Sequence, residues 1–93
     1  MRRRLLQSRA FARAAKSLLK KHPQRARYVE SALSLLAADA FHPRLKTHKL
    51  KGELEGSWAS SAGYDLRIVF QFVQYEGAEA ILLATIGTHD EVY

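Results

Sequence analysis

Apolar residues recur through the early part of the chain with the period of a helix. Phe11, Ala12, Ala15, Leu18 and Leu19 share one face of a segment whose other positions hold Arg9, Arg13, Lys16, Lys20 and Lys21. Ser8 supplies an N-cap, and His22-Pro23 stops the segment because a proline ring disfavours helical geometry in the residue before it. A first helix is therefore predicted from Ser8 to Lys21. Tyr28, Val29, Ala32, Leu33, Leu35 and Leu36 form a second, broader stripe, predicting a helix that ends near Asp39. Arg3 to Gln7 is too brief to type by period and is read as a short first strand.

From His42 to Gly56 the chain is polar and punctuated by Pro43, Gly52 and Gly56, the pattern of a connection. The period then changes to two. Leu66, Ile68, Phe70 and Phe72 alternate with Asp65, Arg67, Val69, Gln71 and Val73, as in a strand with one buried face, which sets Asp65 and Arg67 together on the opposite face. Glu76-Gly77 reads as a hairpin turn, and Ala80 to Ile86, apolar on both sides, as a central strand. Trp58 to Ser61 makes a shorter strand before a turn at Gly63. Helices early and strands late define an α+β fold: one domain over residues 1–93, a small antiparallel sheet covered on one face by two N-terminal helices, its other face free.

Composition narrows the class. Ninety-three residues with 47% hydrophobic content can bury a modest core without metal or disulfide support. With no cysteine, disulfides and thiolate metal sites are excluded, which fits a reducing cytoplasm. Met1-Arg2-Arg3-Arg4 begins like a signal peptide, but Gln7, Ser8 and Arg9 cut off the apolar run at once, and no later stretch is long enough to cross a membrane. The chain thus reads as a soluble cytoplasmic protein. Its net charge is +6, very unevenly spread: 14 of the 15 lysines and arginines precede position 53, where only Glu30 and Asp39 oppose them, whereas Arg67 alone faces seven acids beyond it. A basic half of that density attracts polyanions through phosphate neutralisation and counterion release.

Three segments carry a family resemblance: Leu45-Lys46-Thr47-His48-Lys49-Leu50-Lys51-Gly52 continuing to Trp58, then Tyr64-Asp65-Leu66-Arg67-Ile68-Val69-Phe70, then Ile86-Gly87-Thr88-His89-Asp90-Glu91-Val92-Tyr93. In this order they resemble the RelE/ParE toxin superfamily, with the greatest similarity to its YafQ-like mRNA interferases. The resemblance implies a βααβββ fold and the toxin of a type II toxin–antitoxin system. It implies an endoribonuclease that cuts mRNA in the ribosomal A site without a metal or other cofactor, by attack of the ribose 2′-hydroxyl on the adjacent phosphate. The implied partners are a cognate antitoxin, the mRNA and ribosomal RNA. His48, Asp65 and His89 match the positions that line the cleft of YafQ-like proteins, Arg67 matches the strand arginine of RelE-like members, and Tyr93 stands where a terminal aromatic holds substrate. One departure is visible. Where YafQ-like toxins often carry a further aspartate and histidine, this chain has Ser60, Ser61, Ala62 and Gly63.

The residue types suit such chemistry. Cleavage by an internal hydroxyl needs a base, an acid for the leaving 5′-oxygen, and cations for the phosphorane charge. Histidine serves both proton roles near neutral pH, each worth roughly 10² to 10⁴ in rate. His89 is read as the acid and His48 as base or phosphate orienter, with exchange of the two left open. Asp65 would fix a histidine tautomer or act as base, Arg67 would bind phosphate in bidentate fashion, and Lys46, Lys49, Lys51 and Tyr93 would hold RNA. His22 and His42, each before a proline, read as punctuation. Structural roles compete throughout: a loop histidine at 48, a strand-end histidine at 89, an ion pair at Asp65 or Arg67, a frayed terminus at Tyr93, and Trp58 in the core. Two other functions stay open: a ParE-like inhibitor of DNA gyrase, which needs no histidine pair, and a catalytically silent RNA- or antitoxin-binding protein.

Overall fold

The computed structural model describes residues 2–93. Strand β1 (Leu5–Gln7) leads into helix α1 (Arg9–Lys21), a single 3₁₀ turn and helix α2 (Ala26–Ala38). Strands β2 (His48–Lys49), β3 (Trp58–Ala62), β4 (Leu66–Tyr75) and β5 (Ala78–Thr88) follow, and a last short helix, α3 (His89–Val92), closes the chain. The sheet order is β1-β5-β4-β3-β2. All pairings are antiparallel except β1 with β5, which is parallel, so the sheet is mixed at one edge.

Both long helices form where the apolar period places them. Ser8 caps α1 by accepting a hydrogen bond from the Phe11 amide on its side chain, at 3.0 Å. The Ser8 hydroxyl also donates to the Ala84 carbonyl at 3.0 Å, tying the helix start to β5. That carbonyl needs a partner because β5 contains a bulge. Pairing runs Val69 with Thr85 but Phe70 with Leu83, which leaves Ala84 as the extra residue. The bulge lets Ile81, Leu83 and Ile86 all join the core under the helices, although strict alternation would turn Ile86 away from the other two.

The main core joins Phe11, Val29, Ala32 and Leu36 of the helices to Leu66, Ile68, Phe70, Ile81, Leu83 and Ile86 of the sheet. Phe70 and Leu36 are completely buried, each such side chain contributing roughly 1.5 to 3 kcal/mol by leaving water. Trp58 packs against this core as expected, in edge contact with Phe41 at 5.3 Å and Phe72 at 5.5 Å between ring centroids. The Glu76-Gly77 turn has both residues at positive φ, 50° and 80°, as the tight hairpin turns that match strand twist demand.

Two expectations need correction. The His42–Gly56 connection is not wholly irregular: it contains β2, and Pro43–Leu45 and Gly52–Leu54 are 3₁₀ turns. The second sheet face is not wholly free. Leu50, Ala59 and Val69 make a small second core there, with Leu54, Ala84 and Val92 packed against it, because the β2–β3 connection and α3 fold back over that face. Among the described residues no helix is long and apolar enough to cross a membrane.

Candidate active site

The face carrying the second core also carries the chemistry. On β4, Arg67 pairs with Ser61 of β3 and Gly87 of β5, so its long side chain rises between two small residues. It donates to the carbonyls of Leu66 at 2.9 Å and Tyr64 at 3.4 Å, which holds it beside the β3–β4 turn. An open cleft of about 480 Å³ lies here, lined by Arg44, Lys46, Ser61, Gly63, Tyr64, Asp65, Arg67 and His89. Three cations and a histidine thus face one hollow with a single carboxylate.

The sequence Gly87-Thr88-His89 now has a mechanical account. A Cβ on Gly87 would stand 3.1 Å from both Cβ and Oε1 of Glu91 and 3.3 Å from Cγ1 of Val92, so the missing side chain lets α3 lie directly on β5. Thr88 starts that helix with a reciprocal capping box. Its hydroxyl accepts from the Glu91 amide at 3.3 Å, while its own amide donates to Glu91 Oε1 at 2.8 Å. Hydrogen bonding to the Thr88 backbone and side chain holds the Glu91 carboxyl below its usual value. His89 is therefore the first residue of a helix and not a strand end.

Tyr93, at the close of α3, joins the two histidines. Its ring meets His89 edge-on at 4.4 Å between centroids, and its hydroxyl lies 3.2 Å from Nε2 of His48. His48 in turn places Nδ1 3.0 Å from the Lys46 carbonyl. A carbonyl only accepts, so Nδ1 carries a proton, which leaves Nε2 of the uncharged tautomer to accept from the tyrosine hydroxyl. Lys46 presents that carbonyl from a left-handed conformation, φ 51°, uncommon for a side-chain-bearing residue and concentrated at functional sites. Burial pushes the Tyr93 phenol above its ordinary pKa, against an opposing pull from the Arg67 guanidinium.

The structure therefore brings His48, His89 and Tyr93 into one chain of contacts, and sets Lys46, Arg67 and His89 around one cleft. Other expected members stand differently. Asp65 lines the cleft, but its carboxylate meets Arg25 at 3.3 Å and not a histidine; the turn after Pro23 brings that arginine, 40 positions away, to the β3–β4 loop. Lys49 points to the opposite face. Side chains alternate along even the two-residue β2, so as His48 faces the site, the Lys49 ammonium lies over the Trp58 ring at 5.4 Å. Lys51 is exposed on the loop beyond. His42 accepts from the Arg44 amide at 3.1 Å, which caps the 3₁₀ turn and agrees with its reading as punctuation.

Ser60 is completely buried and hydrogen-bonded to the Thr47 hydroxyl at 2.7 Å. Arg44 and Tyr64 line the cleft without having been singled out in the sequence. The available signals were weak: a lone arginine in a basic connection, and an aromatic following a turn glycine. Among the described residues no three His, Cys, Asp or Glu side chains come together as a metal site requires.

A mixed five-stranded sheet backed by two helices and ended by a capped C-terminal turn is a fold shared with solved toxin structures, in line with the fold that the sequence resemblance implied. The solved structures similar to this chain include YafQ from E. coli strain BL21(DE3), with TM-score 0.79 and 16% identity over 98% of each chain. YafQ in the E. coli DinJ-YafQ toxin-antitoxin complex gives a TM-score of 0.77 at 17% identity, covering 100% of this chain and 99% of that one. The YoeB/ParE toxin from Agrobacterium tumefaciens has TM-score 0.75 and 13% identity over 92% of this chain and 98% of its own. A metal-bound toxin from Helicobacter pylori reaches 26% identity with TM-score 0.77 over the whole of both chains. No protein-family model matches the sequence, and no match was found among the curated proteins.

Proposed function

We propose that the chain is the toxin of a type II toxin–antitoxin pair and that it cleaves mRNA in the ribosomal A site by 2′-hydroxyl attack. The observation that carries this reading is the His48–Tyr93–His89 contact chain at the end of a cleft walled by Arg44, Lys46 and Arg67. The two imidazoles are separated by no more than the 6.5 Å and 4.4 Å spans from their centroids to that of Tyr93, which keeps both within reach of a single nucleotide.

In the proposed reaction His48, its Nδ1 proton held by the Lys46 carbonyl, takes the 2′-hydroxyl proton at Nε2. The 2′-oxygen attacks phosphorus, and the 5′-oxygen leaves with a proton from His89, giving a 2′,3′-cyclic phosphate and a free 5′-hydroxyl. Arg67 and Lys46 bear the added charge of the phosphorane, as preorganised cations at a reacting phosphate do. Tyr93 positions His48 in the free enzyme and stacks on a base in the complex. Asp65, tied to Arg25, sets the turn that holds Arg67 and so acts on position, not on protons. The antitoxin partner is supported by the DinJ-YafQ complex of a protein with this fold, and a cationic cleft suits an acidic segment that covers it.

The test is a purified, ribosome-programmed mRNA cleavage assay, with plasmid supercoiling by gyrase measured beside it. Wild type should cut message and leave supercoiling untouched. His89→Ala and His48→Ala should each lose about 10² to 10⁴ in single-turnover rate. Gyrase inhibition with intact message would overturn the nuclease reading in favour of a ParE-like activity.

A further inference from the structure

We propose that Tyr64 is a stacking platform for a nucleobase flanking the cleaved phosphodiester, an inference that rests on the nuclease reading above. Tyr64 is 97% exposed, a poor disposition for an aromatic ring whose burial would otherwise stabilise the fold. The other tyrosines have neighbours: Tyr28 packs on Gly63, Tyr75 lies under Arg4 at 5.5 Å, and Tyr93 sits between the histidines. Among the described residues, Tyr64 has no ring or cation partner.

The turn that displays it is nonetheless held at each of its three residues. Gly63, at φ +78°, lies against Tyr28 so closely that a Cβ there would be 3.2 Å from the ring. The Tyr64 carbonyl accepts from Arg67, and the Asp65 carboxylate is paired with Arg25. A ring presented to water on a fixed backbone loses little further freedom when a ligand covers it, which is what preorganised recognition requires. Its place selects the ligand. Tyr64 lines the rim of the cleft that holds Arg44, Lys46 and Arg67, so a strand whose phosphates meet those cations lays a base within reach of the ring. Cations that track a backbone, interleaved with an exposed aromatic, are the elements of single-strand binding, and stacking tolerates any base because each has a π-face. Tyr64 and Tyr93 would then grip nucleotides on the two sides of the scissile bond.

The experiment measures cleavage of ribosome-bound mRNA by wild type, Tyr64→Phe and Tyr64→Ala. Messages carry either an intact A-site codon or a single abasic ribose at each position in turn. Stacking of about 1 to 3 kcal/mol per base predicts that Tyr64→Ala raises the half-saturating enzyme concentration about five- to hundredfold, with the saturating rate little changed. Tyr64→Phe should behave as wild type. One abasic position should reproduce the loss in wild type and add nothing further in Tyr64→Ala. Wild-type affinity in Tyr64→Ala, or losses that add at every abasic position, overturns the platform. A wild type that cuts no message overturns the nuclease reading itself, and this inference with it.

Discussion

Gly87→Ala separates the architecture of the site from the stability of the fold. Two terms act on stability. The new methyl would meet Glu91 at 3.1 Å and Val92 at 3.3 Å, contacts that force α3 to shift by a few tenths of an ångström or lift away. Overpacking of this kind costs about 1 to 3 kcal/mol where nothing yields, but a four-residue terminal helix can yield, so the lower end applies. Against it, alanine restricts the unfolded chain and returns about 0.4 to 1 kcal/mol, since Gly87 does not require positive φ. The net change is about 1 kcal/mol or less, a fall in Tm of no more than roughly 4 to 8 °C for a domain of this size. The site feels the shift directly, because His89 and Tyr93 both ride on α3; a misplacement near 1 Å can cost about 10²-fold in rate, and a few tenths correspondingly less. Two measurements check this: thermal melting, and the NMR shifts of the His89 ring protons, which feel the Tyr93 ring 4.4 Å away. Unmoved His89 resonances in Gly87→Ala would refute the claim that the absent side chain seats the helix, whatever the activity does.

Glu91 gives α3 a pH dependence of definite sign. Its carboxyl is held below the ordinary value near 4.5, so its contribution is complete above that value and is lost as pH falls through the lower folded one; the His89–Tyr93 contact should loosen only in that acid range, and Glu91→Gln should abolish the transition in an NMR titration. Tyr93→Phe keeps the ring against His89 but frees Nε2 of His48; because the hydroxyl must leave that nitrogen before it can take the 2′-hydroxyl proton, loss of a hydrogen bond worth about 0.5 to 1.5 kcal/mol predicts half-saturation at a roughly threefold to tenfold lower concentration with the saturating single-turnover rate retained. Asp65→Asn breaks a partly exposed pair with Arg25, so unfolding in urea should shift by no more than about 1 kcal/mol. Cleavage should persist in that variant, and a loss beyond 10²-fold would return the carboxylate to a proton-transfer role.

Much of this could be read from local chemistry. The helices follow from Ser8, the 3.6-residue spacing and Pro23, and β4 from the alternation of Leu66, Ile68, Phe70 and Phe72; in each case the signal and the structure it dictates occupy the same few residues. What escaped was set by distant pairing. The partner of Asp65 is Arg25, brought up by the interhelical turn, and no spacing along the chain announces it. β1 pairs in parallel with β5 across most of the chain, and β2, two residues long, has no period to detect, so the opposed directions of His48 and Lys49 appear only once β3 lies beside it. The run from Ala80 to Ile86 looked apolar on both sides, partly because the bulge at Ala84 changes its phase midway. The capping box of α3 was visible in the spacing of Thr88 and Glu91, a pattern that specifies a helix start even where the helix is a single turn.

The extra residue in β5 has a consequence of its own. It divides the strand into two halves that answer to different neighbours: the first is locked by β1 and by Ser8, while the second carries Gly87, Thr88 and the pivot of α3. Removing Ala84 would restore unbroken pairing and leave Leu83 and Ile86 pointing inward, while straightening the strand and swinging its far end. A joint of this sort lets the heading of His89 be retuned by altering one position, with the inward side chains beneath the helices left as they were.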